Sequence, residues 1–156
     1  VRLSRDRVPV VFHNSSLMSI TSCPRRVEDL TVSELKTLDV GLWRGEMFRG
    51  ERIPTLDEVL ALARGRIPVN LDIKTPAAIV PVIASVQAYR MLDEVVLSGC
   101  TWAEARKVRH LEPGLHVLMN VDGYLRTVLR LVSARLALLL SRCRSARSAD
   151  LDLDRR

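Results

Sequence analysis

Val69-Asn70-Leu71-Asp72-Ile73-Lys74 alternates apolar and polar residues, and Thr75-Pro76 follows at once. In an extended strand Val69, Leu71 and Ile73 share one face while Asn70, Asp72 and Lys74 share the other. Parallel strands are covered on both sides, so three polar side chains on an inner face are costly to bury unless they serve a site. Pro76 then starts a helix, with apolar residues at Ile79, Val82, Ile83 and Val86 at helical spacing. A strand carrying polar groups and leading straight into an amphipathic helix is the repeating unit of a parallel α/β sheet.

The same alternation extends in both directions. Val95-Val96-Leu97-Ser98 reads as a strand, residues 101–111 as a helix closed by Pro113-Gly114, and residues 115–121 as a further strand. Upstream, Thr31 and Thr55 are natural N-caps, with Glu34 and Glu58 three residues on as in a capping box. The first of these helices would bury Leu35 and Leu38 and stop at Gly41. The second would turn Val59, Leu60 and Leu62 inward and stop at Gly65. Residues 1–4 and 8–13 read as short strands joined by the charged turn Arg5-Asp6-Arg7, and residues 14–26 as a loop. Residues 41–50, with three glycines, Trp43 and Phe48, read as a loop with aromatic anchors. Parallel strands are expected near residues 8–13, 68–74, 95–98 and 116–120.

Composition narrows the function classes. The 156 residues are 47% hydrophobic, enough for a core, and only 4% aromatic, too few for a base-stacking platform. A net charge of +6 invites a nucleic-acid reading. Many of the arginines, however, lie among leucines and serines in residues 126–156, where a solvated tail accounts for them, and no nucleic-acid partner is expected. Three cysteines without a CxxC pair or a Cys/His cluster argue against a disulfide framework or a zinc site. The longest apolar run, Leu136 to Leu140, falls far short of the ~20 residues of a transmembrane helix. The chain opens inside an apparent strand without an initiator Met, so the N-terminus is expected to be missing. The compartment is open, with cytoplasmic the first expectation.

Val11-Phe12-His13-Asn14, then Ile53-Pro54-Thr55-Leu56-Asp57-Glu58-Val59-Leu60, then Asn70-Leu71-Asp72-Ile73-Lys74 occur in that order. Together they resemble the middle of a glycerophosphodiester phosphodiesterase, over about residues 1–120. The resemblance implies a partial TIM-type (β/α)8 barrel made of central strands and helices, so an α/β fold, in residues 1–122. Residues 123–156 would be a divergent Leu/Arg-rich tail, helical and then disordered. It also implies a divalent metal, Mg²⁺ or Ca²⁺, and a small-molecule glycerophosphodiester cleaved to glycerol 3-phosphate and an alcohol. A related lipid phosphodiesterase of the same barrel superfamily stays open.

The resemblance makes His13 an acid–base catalyst, the Asp72 position a metal-binding carboxylate and Lys74 a contact to the substrate phosphate. Without it, His13 reads as a surface histidine at a strand end and Lys74 as a snorkelling surface lysine. The family usually has Asp where this chain has Asn14, and more often Glu where it has Asp72. Asn14 keeps the shape and an acceptor oxygen but not the charge. Asn14, Ser98 and Trp43 are candidate pocket residues, whereas His110 and His116 read as structural. The family's first catalytic histidine and first metal-binding carboxylates would lie upstream of Val1, so this chain alone is expected to be inactive. A half barrel would also leave open sheet edges, which favour association, and the oligomeric state is left open. The alternative from a different class is a non-catalytic remnant or binding module whose basic tail meets an anionic surface.

Overall fold

The computed structural model describes residues 1–119. The expected tail of residues 123–156, and with it the anionic-surface alternative, lies outside the described residues. The described part opens with a hairpin, β1 (Arg2–Leu3) and β2 (Pro9–Val10), followed by two short helices, α1 (Met18–Thr21) and α2 (Val32–Leu35). Then come α3 (Leu56–Ala63), β3 (Val69–Asp72), α4 (Ile79–Ala88), β4 (Val95–Cys100), α5 (Trp102–Leu111) and β5 (His116–Met119).

β3, β4 and β5 form a parallel sheet in that order, joined by α4 and α5. Asp72 lies beside Ser98 in the β3–β4 register. On the other side of β3, Val1 N donates to the Asp72 carbonyl and Lys74 N donates to the Val1 carbonyl. That alternation is the hydrogen-bond pattern of a parallel neighbour, so the chain start extends the sheet beyond β3.

Residues 8–13 do not form the expected parallel strand. Only Pro9–Val10 is regular, and it pairs antiparallel with β1, Arg2 opposite Val10 and Leu3 opposite Pro9. Connection length explains the difference: a turn of a few residues joins only antiparallel partners, whereas a parallel neighbour needs a crossover of a dozen residues or more. Ser4, 3% exposed, closes the turn by hydrogen-bonding to Val8 through both backbone and hydroxyl, and Arg7 takes a left-handed φ of 64°.

The helix starts follow their caps. Thr31, Thr55 and Thr101 each accept from the backbone N–H three residues on, and Glu34, Glu58 and Glu104 each reach back to the cap N–H. In α4 the four expected apolar positions, Ile79, Val82, Ile83 and Val86, are all buried. α2 is shorter than expected, ending at Leu35 rather than near Gly41. In α3 the buried residues are Leu56, Leu60 and Ala63, while Leu62 is 67% exposed. A stripe at i, i+4 and i+7 passes through Ala63 and leaves Leu62 on the flank.

Two apolar clusters result. The larger joins the sheet to α3, α4 and α5. The smaller gathers Val10, Leu17, Val27, Leu30, Leu35 and Ile53 beneath the loop after β2. Fully buried Leu17 pins that loop, whose backbone also pairs with the following segment through Leu17 N to Arg25 O at 3.1 Å and Val27 N to Ser15 O at 2.9 Å.

The loop of residues 41–50 is not anchored by its aromatic side chains, since Trp43 is 58% and Phe48 37% exposed. Its organiser is Asp39. One carboxylate oxygen accepts from Gly41 N and Leu42 N, both at 2.9 Å, and the other from Gly50 N at 2.7 Å. Those bonds hold the carboxyl below its usual range.

Leu60→Ala should destabilise the chain by about 2–5 kcal/mol, the usual cost of a large-to-small change in a core. Leu62→Ala should stay within about 0.5 kcal/mol. Urea unfolding of both variants checks the assignment of the buried face, and equal losses would refute it.

Candidate active site

The parallel sheet brings strand ends to one edge, where β/α folds place their sites. There an open depression of about 600 Å³ is lined by Arg2, His13, Asn14 and Lys74, with Ser15, Ser16, Met18 and Ser19 on the loop side. The four come from three stretches of chain: Arg2 from β1, His13 and Asn14 from the chain leaving β2, and Lys74 from the chain leaving β3.

The His13 ring is oriented by its neighbour, with Nδ1 2.9 Å from Asn14 Oδ1. Asn14 in turn reaches Ser19 Oγ through Nδ2 at 3.5 Å. With Nδ1 carrying the proton toward Asn14, Nε2 is left with a lone pair for a ligand. Arg2 Nε donates to the His13 carbonyl at 3.0 Å, which fixes the backbone that carries the ring. Lys74 Nζ lies 2.6 Å from Asp72 Oδ2. Lys74 therefore links Asp72 to the depression, although Asp72 is not itself among its lining residues.

Ser98, half-buried, stands beside Asp72 across the sheet and does not line the depression. Trp43 also lies away from it, its indole N–H donating to the Val40 carbonyl at 2.9 Å. His110 and His116 are exposed residues of α5 and β5 and are not in its lining.

Two contributors escaped the sequence reading. Arg2 was one charged residue of an apparent strand, and only the hairpin pairing brings it to His13. Gly99 could have been noticed, because a glycine near a strand end often marks a close approach. Its φ is +76°, and a Cβ there would lie 2.3 Å from Asp72 Oδ1 and 2.9 Å from the Ile73 carbonyl oxygen. Gly99 thus leaves room for the Asp72 carboxylate, at the point where the β4–β5 register shifts between Leu97 and Cys100. The adjoining Cys100 is fully buried. Burial, with Glu104 and Asp72 adding negative charge nearby, pushes its thiol up to about 11.

A family model described as the glycerophosphoryl diester phosphodiesterase family matches residues 1–123. The chain belongs to this family. A glycerophosphodiester phosphodiesterase of Caldanaerobacter subterraneus subsp. tengcongensis is 33% identical over 123 residues, covering 75% of this chain and 51% of that relative. The chain thus spans about half the length of the curated relative it matches. The crystal structure of a glycerophosphodiester phosphodiesterase from Agrobacterium tumefaciens is 29% identical, with a TM-score of 0.67 over 78% of this chain and 52% of that one. A phosphodiesterase from Oleispira antarctica, solved with the product sn-glycerol-3-phosphate, shares the fold at a TM-score of 0.71 and 23% identity, over 84% of this chain and 57% of that one. The parallel α/β unit described above is thus part of the TIM-type barrel of glycerophosphoryl diester phosphodiesterases.

The family generally uses a divalent metal. A hard cation takes several oxygen ligands. Among the described residues no three His, Cys, Asp or Glu side chains gather into a metal-binding group, and Asp72 already faces Lys74. These residues do not by themselves complete a site for such an ion.

Gly99→Ala should be destabilising by more than about 1 kcal/mol, because the added methyl meets both a positive φ and the Asp72 carboxylate. Thermal unfolding measures the loss, and an unchanged midpoint would contradict the close packing. A second outcome concerns Cys100. A raised thiol pKa means that the folded state holds its proton more tightly than the unfolded chain. The resulting stability is complete below pH 9.0 and is lost as pH rises through about 11. Cys100→Ala should remove that component of the alkaline slope in denaturant titrations.

Proposed function

We propose that these residues serve a phosphodiester hydrolase that cleaves glycerophosphodiesters to glycerol 3-phosphate and an alcohol, with the depression beside His13 as the reacting centre. Family membership supports the reaction class. The observation that carries the site is the meeting of His13 and Lys74 in one depression. An imidazole and an ammonium facing the same open space suit a phosphate ester, since one can move a proton and the other offsets negative charge.

Hydrolysis adds a water oxygen to phosphorus and breaks the bond to the ester oxygen, and the departing alcohol must gain a proton. His13 is the group that exchanges a proton with one of these oxygens through Nε2. Asn14 holds the ring in the tautomer that leaves Nε2 free. Lys74, steadied by Asp72, contacts a non-bridging phosphate oxygen. Asp72 would be one ligand of a divalent cation, Mg²⁺ or Ca²⁺, whose chemistry is to neutralise the phosphate.

The described residues offer one imidazole at the depression and one carboxylate behind it. Catalytic groups that act as a set lose most of the rate when members are absent. The purified 156-residue chain should therefore bind glycerol 3-phosphate weakly and give no detectable hydrolysis of glycerophosphodiesters with Mg²⁺ or Ca²⁺. In a longer protein that contains these residues and is active, His13→Ala should lower kcat by about a hundred-fold or more. Turnover indifferent to His13→Ala would refute the assignment of the imidazole.

A further inference from the structure

His13 and Asn14 are neighbours in the chain, yet their side chains meet, with His13 Nδ1 2.9 Å from Asn14 Oδ1. Successive side chains of an extended strand point to opposite faces, so this pairing needs a turn of the backbone between the two residues. The peptide plane joining them is rigid, and the soft rotations on either side of it, ψ of His13 and φ of Asn14, decide whether imidazole and amide face each other. The same rotations set the direction of the His13 carbonyl. That carbonyl accepts from Arg2 Nε at 3.0 Å.

Arg2 is a fixed point from which to hold it. The residue is half-buried in β1 and paired with Val10, and Val1 before it is hydrogen-bonded to the β3 chain. The chain that carries His13 is anchored to either side of the ring, where Val11 N donates to the Pro54 carbonyl and Val27 N to the Ser15 carbonyl, each at 2.9 Å. The His13–Asn14 peptide lies between these anchors, and Arg2 ties it to β1. The Nε–H of a planar guanidinium has one direction, unlike the hydrogens of a rotating ammonium, so the bond fixes an orientation as well as a distance.

We infer, resting on the hydrolase reading above, that Arg2 is a positioning residue for His13. Its bond to the His13 carbonyl holds the peptide in the orientation that lets Nδ1–H donate to Asn14, and thereby keeps Nε2 unprotonated and free to exchange a proton with the phosphate ester. Arg2 acts through the main chain, and the proton transfer stays with the imidazole. Side-chain length separates this role from a role of the charge. A glutamine amide nitrogen stands as many bonds from Cα as Arg2 Nε and keeps a donor there without charge. The methionine terminal methyl takes the same place with no donor.

The test is ¹⁵N and ¹³C NMR of the full 156-residue chain at about pH 8.5, above the ordinary imidazole range, with His13→Gln assigning the ring signals. In the unsubstituted protein Nδ1 should resonate as a protonated and Nε2 as an unprotonated nitrogen, with the His13 carbonyl carbon shifted as a hydrogen-bonded one. Arg2→Met should move the carbonyl carbon toward its unbonded value and draw the two ring nitrogens toward each other. The ratio of Nδ1–H to Nε2–H tautomer should fall about two- to ten-fold, the range of one net hydrogen bond. Arg2→Gln should keep both signatures. Unchanged methyl signals of Leu60 and Val82 in the two variants report an intact core. If Arg2→Met leaves the ring nitrogens where they were, or if Arg2→Gln disturbs them as much as Arg2→Met does, the positioning role is overturned and the hydrolase reading stands. Glycerol 3-phosphate, added to the unsubstituted protein, should shift the His13 ring signals. If it does not, the hydrolase reading falls and takes the role of Arg2 with it.

Discussion

Parallel pairing of β3 with β4, with Val69 to Asp72 beside Val95 to Ser98, sets the position of everything at the site edge. Parallel strands send their carboxyl ends the same way, so Asp72, Lys74, Ser98 and Gly99 emerge together. The start of the chain joins on the far side of β3 through the Val1 hydrogen bonds, and the hairpin turn then returns the backbone to deliver His13 to the same edge. The ladder tolerates this only because Gly99 has no Cβ. Any larger residue would contend with the carboxylate of Asp72 and with the backbone of Ile73.

Charge at this edge is arranged in layers. Asp72 sits behind, compensated by Lys74, while Arg2 stands in front with its guanidinium nitrogens free of partners among the described residues. Among the described residues the charged groups lining the depression are the cations Arg2 and Lys74. Such a surface favours anions at short range and loses that preference in salt, because its groups are open to water. The neutral Asn14 fits the same arrangement. It orients His13 by a hydrogen bond without adding a negative charge to the depression.

Local signals were legible in the sequence and non-local ones were not. The capping boxes at Thr31 and Thr55 span only three residues, so the chain announces them without help from tertiary structure. The buried face of α4 was equally plain, because its four apolar positions include β-branched residues at unbroken helical spacing. Leu62 misled because a large apolar residue outweighs a small one when a stripe is read by eye, yet packing chose Ala63. The direction of residues 8–13 was beyond local pattern, since alternation is the same in parallel and antiparallel strands. At the site, His13, Asp72 and Lys74 could be proposed from motif and strand position. Arg2 could not, because its role depends on which strand lies across from it.

The loop of residues 41–50 shows a different economy. Its closure depends on Asp39 and on three main-chain N–H groups, those of Gly41, Leu42 and Gly50. Every amino acid except proline carries such a group. Side chains between the two ends of the loop can therefore change in size, charge or polarity without untying it, provided Asp39 remains and the chain can still pass close to Gly41, where a Cβ would collide with the Phe48 carbonyl. The segment is a main-chain frame whose closure does not depend on what Met47, 86% exposed, carries as a side chain.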